Sequence, residues 1–401
     1  MPFPTGSTPS LLLLAGIFFF NFFARIFFAP LLPELELSLG LSHGQAGLFF
    51  LFISCGYFVS MLGSNLVSAR IGHKNTILLS ITGITLALAL IQATPASPLF
   101  RPSFVFLGLS AGLYLPSAVA TIAGLFPPAR MGRAFGIHEL APNLAFVSAP
   151  LYVALLLPHM GWQQIIRLLL PPLVAMTVCY AMLGKNPDQK HVPPSLALYS
   201  AVFANRSFWL MVLLFSVGIA STLGIYSILP TYLVSIHGFG EQESNLLIAA
   251  TRVPTVLAAL AGGFLADRFG KRRAMGLVLA GSGLATILLG QGIFLVKIGI
   301  WLQPIIAVCF FPAGFAMLSL IGPIQARSIV VSVTIPLAFV IGGGVVPAII
   351  ARLADHGLFA GAISGTGIIM LLASILVIGL QEEPPKGTTK NSVCKELRRS
   401  V

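Results

Sequence analysis

Residues 263–272 read Gly263-Phe264-Leu265-Ala266-Asp267-Arg268-Phe269-Gly270-Lys271-Arg272. Two apolar runs, 245–266 and 273–294, meet at this short charged stretch. Glycine permits a tight turn between two antiparallel helices. An acid at a helix end can meet the positive N-terminus of a facing helix, and clustered basic residues hold such a loop on one membrane face. A partner lies 198 residues earlier, where Arg70-Ile71-Gly72-His73-Lys74 aligns with Arg268-Phe269-Gly270-Lys271-Arg272. The spacing recurs: Pro33 of Leu32-Pro33 and Pro230 of Leu229-Pro230 are 197 apart, and Gly40 and Gly238 are 198 apart. A chain that repeats at half its length is two copies of one structural unit.

Composition supplies the setting. The chain has 401 residues, 57% apolar and only 8% charged, against about 25% charged in soluble domains. Its mean hydropathy is +0.96. A water-soluble enzyme and a disordered chain are both excluded. Twelve apolar runs follow one another: 11–32, 46–68, 75–94, 101–126, 133–157, 163–184, 207–230, 245–266, 273–294, 298–321, 328–352 and 357–380. Each suits a membrane-spanning helix of about 20 residues, and none alternates as barrel strands do. The expected fold is an all-α membrane protein, with twelve transmembrane helices in two pseudo-symmetric six-helix bundles. Its parts are a first bundle over 1–184, a cytoplasmic linker over 185–206 containing Pro193 and Pro194, a second bundle over 207–380 and a cytoplasmic tail over 381–401. The first run is too long for a signal peptide and reads as a retained helix.

The net charge of +12 invites a nucleic-acid reading until the charges are placed. Loops on one side and the tail hold 17 of the 23 Lys and Arg, including Arg70, Lys74, Arg130, Arg133, Lys271, Arg272, Arg273 and Arg327. The opposite side carries Glu34, Glu36, Glu241, Glu243 and Asp355. By the positive-inside rule both termini face the cytoplasm. Cys55, Cys179, Cys309 and Cys394 have no metal-ligand or disulfide-framework spacing and read as packing residues.

The stretch at 263–272 resembles the loop signature of the major facilitator superfamily, G-x-L-A-D-R-x-G-R/K-R/K. Arg101 with Gly108 and Gly112, and the run Phe126-Pro127-Pro128 with Arg130, Gly132, Arg133 and Gly136, resemble two further patterns of that family. The first-half loop departs from it, with Ala69 where the family has Asp and Asn65 where it has Gly. The family's antiporter signature ends in Gly-Pro, whereas this chain has Ser148-Ala149-Pro150. The resemblance implies secondary transport by alternating access, a solute site near the midplane between halves, and a gating loop made of Asp267, Arg268, Gly270, Arg70 and Gly72. No Walker A loop, metal cluster or cofactor motif is evident. The expected partners are a small-molecule solute, a proton or other coupling ion, and membrane lipid, with a monomer in a bacterial cytoplasmic membrane.

Ionisable groups inside a bilayer are expensive and mark function. Arg25 and Arg252 each lie seven residues from an outer helix end, about 10 Å deep at 1.5 Å per residue. One comes from each half, so together they could clamp an anion; alternatively each snorkels to the headgroups. Asn21 is one turn from Arg25 and extends a polar stripe. Glu139 and Asn143 share a face of the fifth helix. A lone buried carboxylate can exchange a proton near neutral pH, so Glu139 is a proton site, with His138 as second candidate; a gate contact with Arg130 or Arg133 is the alternative. Tyr114, Tyr226 and Gln303 either line a cavity or join helices. The 30 phenylalanines, many in 18–28 and 49–58, are expected to be mostly lipid-facing bulk. Gly342-Gly343-Gly344 and Pro347 mark a place where a helix could bend or pack closely. Proton-coupled uptake of a small anion follows. The alternatives are an exporter of amphipathic compounds and a transporter-like sensor that moves nothing.

Overall fold

A computed structural model describes residues 8–185, 200, 202–321 and 327–380. Most of the linker with Lys190, and the tail with Cys394, lie outside the described residues, as does the side chain of Arg327. All regular structure among the described residues is helical. Eleven apolar stretches are long enough to cross a membrane. The longest, His43–Ala93, is broken by Gly72 at φ 80°, ψ 160°, and so divides into two spans. The twelve are α1 Thr8–Leu39, α2 and α3 (the two parts of His43–Ala93), α4 Phe100–Leu125, α5 Arg130–Leu156, α6 Trp162–Leu183, α7 Arg206–His237, α8 Glu241–Phe269, α9 Lys271–Leu289, α10 Ile293–Leu318, α11 Ile329–Ala354 and α12 Phe359–Gly379.

The repeat reappears in backbone geometry. Gly270 sits between α8 and α9 at φ 84°, ψ 143°, close to its counterpart Gly72. Gly40 and Gly238 both close a helix in the left-handed conformation. At these positions a side chain would be strained, which explains why glycine recurs 198 residues apart.

Several spans are not continuous. Helical segments end at Ile26, Gly112, His138 and Val308, and restart two residues later. Each end lies four residues before a proline: Pro30, Pro116, Pro142 and Pro312. Proline lacks an N–H and its ring collides with the carbonyl four residues back, so the ladder stops there. In α8 the break falls at Val253 and Pro254. In α7 and α11 it takes another form, as π-helical turns over Ala220–Gly224 and Phe339–Val345. The glycine triplet lies within the second of these turns. A β-carbon at Gly342 would strike the backbone of α7, and one at Gly344 would come within 2.8 Å of Ser54 in α2. Close packing and an altered helix geometry therefore coincide at this point.

The aromatic expectation is corrected here. Phe18, Phe22, Phe23, Phe27, Phe28, Phe49 and Phe50 are buried inside the protein, away from lipid. They stack between helices, as Phe49 does on Phe104 with ring centroids 4.3 Å apart. Lipid tails are as apolar as a phenylalanine, so hydropathy does not separate the two locations. The surface is instead supplied by Leu257, Leu260, Phe264 and Phe294.

The two halves meet chiefly on the side bearing Glu34, Glu36, Glu241 and Asp355, termed the acidic end. There 28–39 packs on 225–237, 140–156 on 241–252, and the start of α2 on 346–354. Pro128–His138, beyond the break of α5, makes its main contacts within the first half. The structure is thus closed at the acidic end and parts toward the basic end. Two cross-half links hold the closure. Asn245 Nδ2 donates to the Pro30 carbonyl at 3.1 Å. Asp355 accepts from Ser42 Oγ at 2.9 Å and from the Gly44 N–H at 3.2 Å, so a carboxylate of the second half caps the positive N-terminus of α2. Asp355→Ala removes that cap. Spin labels at exposed Leu37 and Leu358, in a cysteine-free background, are expected to show longer distances in the variant. An unchanged distribution would mean that Asp355 does not hold this end shut.

Candidate functional site

The breaks in α1 and α8 leave Arg25 and Arg252 beside interrupted helix segments, one in each half. Both side chains are buried, with 7% and 4% exposure, so neither snorkels to solvent. Among the described residues neither pairs with a carboxylate, unlike His43 with Glu36, His138 with Glu139 and Arg352 with Asp355. Arg25 Nε has no hydrogen-bond partner. Arg252 Nη2 reaches only the Thr222 carbonyl, at a long 3.5 Å, within the π-helical turn of α7.

What surrounds the two guanidiniums is aromatic. Arg25 Cζ lies 4.3 Å from the ring centre of Tyr57, 4.9 Å from Phe22 and 5.4 Å from Phe339. Arg252 Cζ lies 4.9 Å from Phe146 and 5.0 Å from Tyr226. Each arginine thus rests on a tyrosine of its own half and a phenylalanine of the other. Phe22, which Arg25 contacts, and Phe146, which Arg252 contacts, meet edge to face with centroids 5.2 Å apart. A narrow cavity of about 20 Å³ opens beside Arg25, lined also by Ser54 of the first half and Leu223 and Ser227 of the second. It admits about one water-sized sphere. A larger solute enters only when these rings move apart, and the adjoining breaks in α1, α8 and α11 are places where the helices can hinge.

Three other candidates are committed to joining helices. Asn21 Nδ2 donates to the Ala111 carbonyl at 2.9 Å, tying α1 to α4. Gln303 Nε2 donates to the Ser221 carbonyl, joining α10 to the π turn of α7, and Ser221 in turn bonds Ser282 of α9. Tyr114 donates its hydroxyl to the Leu14 carbonyl at 2.6 Å. Tyr226 is different: its ring supports Arg252 while its buried hydroxyl finds no partner. Asn143 is half-buried and donates to the Glu139 carbonyl of its own helix.

Glu139 is not the lone buried carboxylate expected from sequence. Its side chain is 58% exposed at the break of α5, whereas its neighbour His138 is fully buried. His138 stacks on Phe18 with centroids 4.4 Å apart, and its Nε2 lies 3.0 Å from the Tyr114 hydroxyl. Hydrogen-bond accounting places the ring proton. A carbonyl can only accept, so Tyr114 donates to Leu14 and must accept from His138 Nε2–H. In the neutral ring this leaves Nδ1 bare, 3.4 Å from Glu139 Oε1.

At the loops holding Gly72 and Gly270, Asp267 is exposed and makes no ion pair among the described residues. Arg268 lies over Phe269 at 5.8 Å, and Arg70 is exposed beside Gly72. Arg272 reaches across to the Ile378 carbonyl at the end of α12. The arginine-contacting rings that sequence reading passed over are those of Tyr57, Phe146 and Phe339, whose signal was hidden among other aromatics.

A family model described as Major Facilitator Superfamily matches residues 14–253 and 228–399. The chain belongs to the major facilitator superfamily. Among its relatives, the nitrite extrusion protein of Bacillus subtilis (strain 168) is 23% identical over 294 residues, covering 71% of this chain and 70% of that protein. The probable sulfoacetate transporter of Cupriavidus necator is 23% identical over 323 residues, 76% of this chain and 75% of that protein. The tetracenomycin C resistance and export protein of Streptomyces glaucescens is 25% identical over 168 residues, 40% of this chain and 31% of that protein. The fold matches a bacterial homologue of the lysosomal transporter Spinster with a TM-score of 0.81, 16% identity and coverage of 96% and 100%. A D-xylose–proton symporter gives 0.74 at 13% identity, with coverage of 96% and 100%. This transporter of the superfamily therefore carries its two buried cations between halves of the family's fold.

Tyr114→Phe deletes the hydroxyl that His138 and Leu14 share. A loss of about 0.5–2 kcal/mol is expected, the range for hydrogen bonds between transmembrane helices. It would be read as a lower thermal midpoint of the purified protein; an unchanged midpoint would show that the network carries no stability.

Proposed function

We propose that this transporter moves a small anion across the membrane by alternating access, with Arg25 and Arg252 as its binding cations. The observation that carries the reading is the pair of buried guanidiniums without a protein counter-charge among the described residues. A buried unpaired cation is costly, and face contact with aromatic rings returns only about 0.5–2 kcal/mol each. An entering anion supplies the missing charge. Arginine's planar fork suits carboxylate, sulfonate or nitrite oxygens. Relatives named for nitrite and sulfoacetate favour the same class.

In this reading the basic end faces the cytoplasm of a bacterial cell, following the positive-inside rule, and the protein works as a monomer. The acidic end is shut by Asp355 and Asn245, and the site communicates with the basic side. Proton coupling falls to the His138–Glu139 pair, which holds a proton beside the break of α5 and next to α1, the helix that carries Arg25. The solute then travels with a proton as a symporter. The second reading, export of amphipathic compounds, draws on the aromatic walls and on the tetracenomycin-related protein. It predicts transport that survives loss of the arginines.

Proteoliposomes separate the two. Arg25→Gln and Arg252→Gln are each expected to lower anion uptake at least about tenfold, the effect of about 1.4 kcal/mol, with normal yield and folding. Unchanged uptake in both variants would remove the arginines from the mechanism. Glu139→Gln is expected to abolish accumulation driven by a pH gradient while leaving solute exchange intact. Retained accumulation would place the proton elsewhere.

A further inference from the structure

Resting on the anion reading above, the two guanidiniums also bear on the charge of the solute. We infer that the solute is an organic dianion, with two acid groups joined by a short apolar spacer. One acid group goes to Arg25 and the other to Arg252. Three observations converge. Both cations are more than nine-tenths buried and neither has a carboxylate partner among the described residues, so the loaded site needs two negative charges to be neutral. The cations are joined through two rings, Arg25 to Phe22, Phe22 to Phe146 and Phe146 to Arg252, in steps of 4.9, 5.2 and 4.9 Å. What lies along that path is the apolar surface of Phe22 and Phe146, which suits a hydrocarbon spacer and penalises a charge.

A monoanion satisfies one arginine and leaves the other buried and unpaired. A dianion satisfies both and lays its carbon chain against the rings. Rings lie against the Arg25 guanidinium, while its unpartnered Nε remains to donate to an acid group.

The test compares succinate and sulfoacetate with butyrate, a monoanion of matching length, by thermal shift on the purified full-length protein at pH 7.5. Stabilisation follows mass action. Succinate or sulfoacetate is expected to raise the midpoint at concentrations at least about tenfold lower than butyrate. In Arg25→Gln or Arg252→Gln that preference is expected to vanish, with succinate and butyrate acting alike. Arg25→Lys and Arg252→Lys keep the charge and are expected to keep the preference, which covers the case of a glutamine variant that fails to fold. If butyrate stabilises the native protein as well as succinate does, and the glutamine variants lose that response, the anion site stands and the dianion inference is overturned. If no anion shifts the midpoint of native protein, the anion reading falls and takes this inference with it.

Discussion

Two guanidiniums sit in the low-dielectric interior of a membrane protein with aromatic rings for company and no carboxylate partner among the described residues. That constraint organises the rest. Moving an ion of this size out of water costs several kcal/mol even after the protein relaxes. Contacts with Tyr57, Phe22 and Phe339 on one side, and with Phe146 and Tyr226 on the other, recover part of it. The remainder is a standing preference for negative charge at the boundary between halves. Because each arginine leans on a phenylalanine of the opposite half, the charge requirement and the contact between halves share the same atoms. In the proposed mechanism a solute that neutralises the cations would also rearrange the rings through which the halves touch, which is the kind of coupling that alternating access needs.

The helix breaks give that coupling somewhere to act. Prolines at 30, 116, 142 and 312 each stop a helix four residues earlier, and the π turns of α7 and α11 loosen two more spans near the site. Interrupted helices expose carbonyls at membrane depth only where protein surrounds them. Thr222 and Ser221 in the π turn of α7 show the use made of them, one accepting from Arg252 and the other from Gln303. Closure at the acidic end combines the packing of three helix pairs with the Asp355 cap on α2 and the Asn245–Pro30 bond.

Much of this was legible in the amino-acid sequence. Hydropathy located the spans, and the offset of 198 residues predicted paired turns, found at Gly72 and Gly270 with nearly equal dihedrals. Arg25 and Arg252 stood out because charge is rare in such runs. The direction in which a residue points was less legible. Phe22 and Phe264 are equally apolar, yet one lines the site and the other faces outward. Glu139 looked buried because its run is apolar, but the segment ends at His138, four residues before Pro142, and the carboxylate there is 58% exposed. The proline rule itself was available in the sequence: of the prolines inside apolar runs, several interrupt the helix, while Pro33, Pro150 and Pro230 are accommodated within it. Telling these apart requires the packing around each one.

The most direct measurement is a structure determined with saturating succinate. The account predicts acid oxygens about 2.7–2.9 Å from the guanidinium nitrogens of Arg25 and Arg252, with Phe22 and Phe146 displaced around the bound molecule. Either arginine paired with a carboxylate of the protein, or an anion seated away from both, would contradict it.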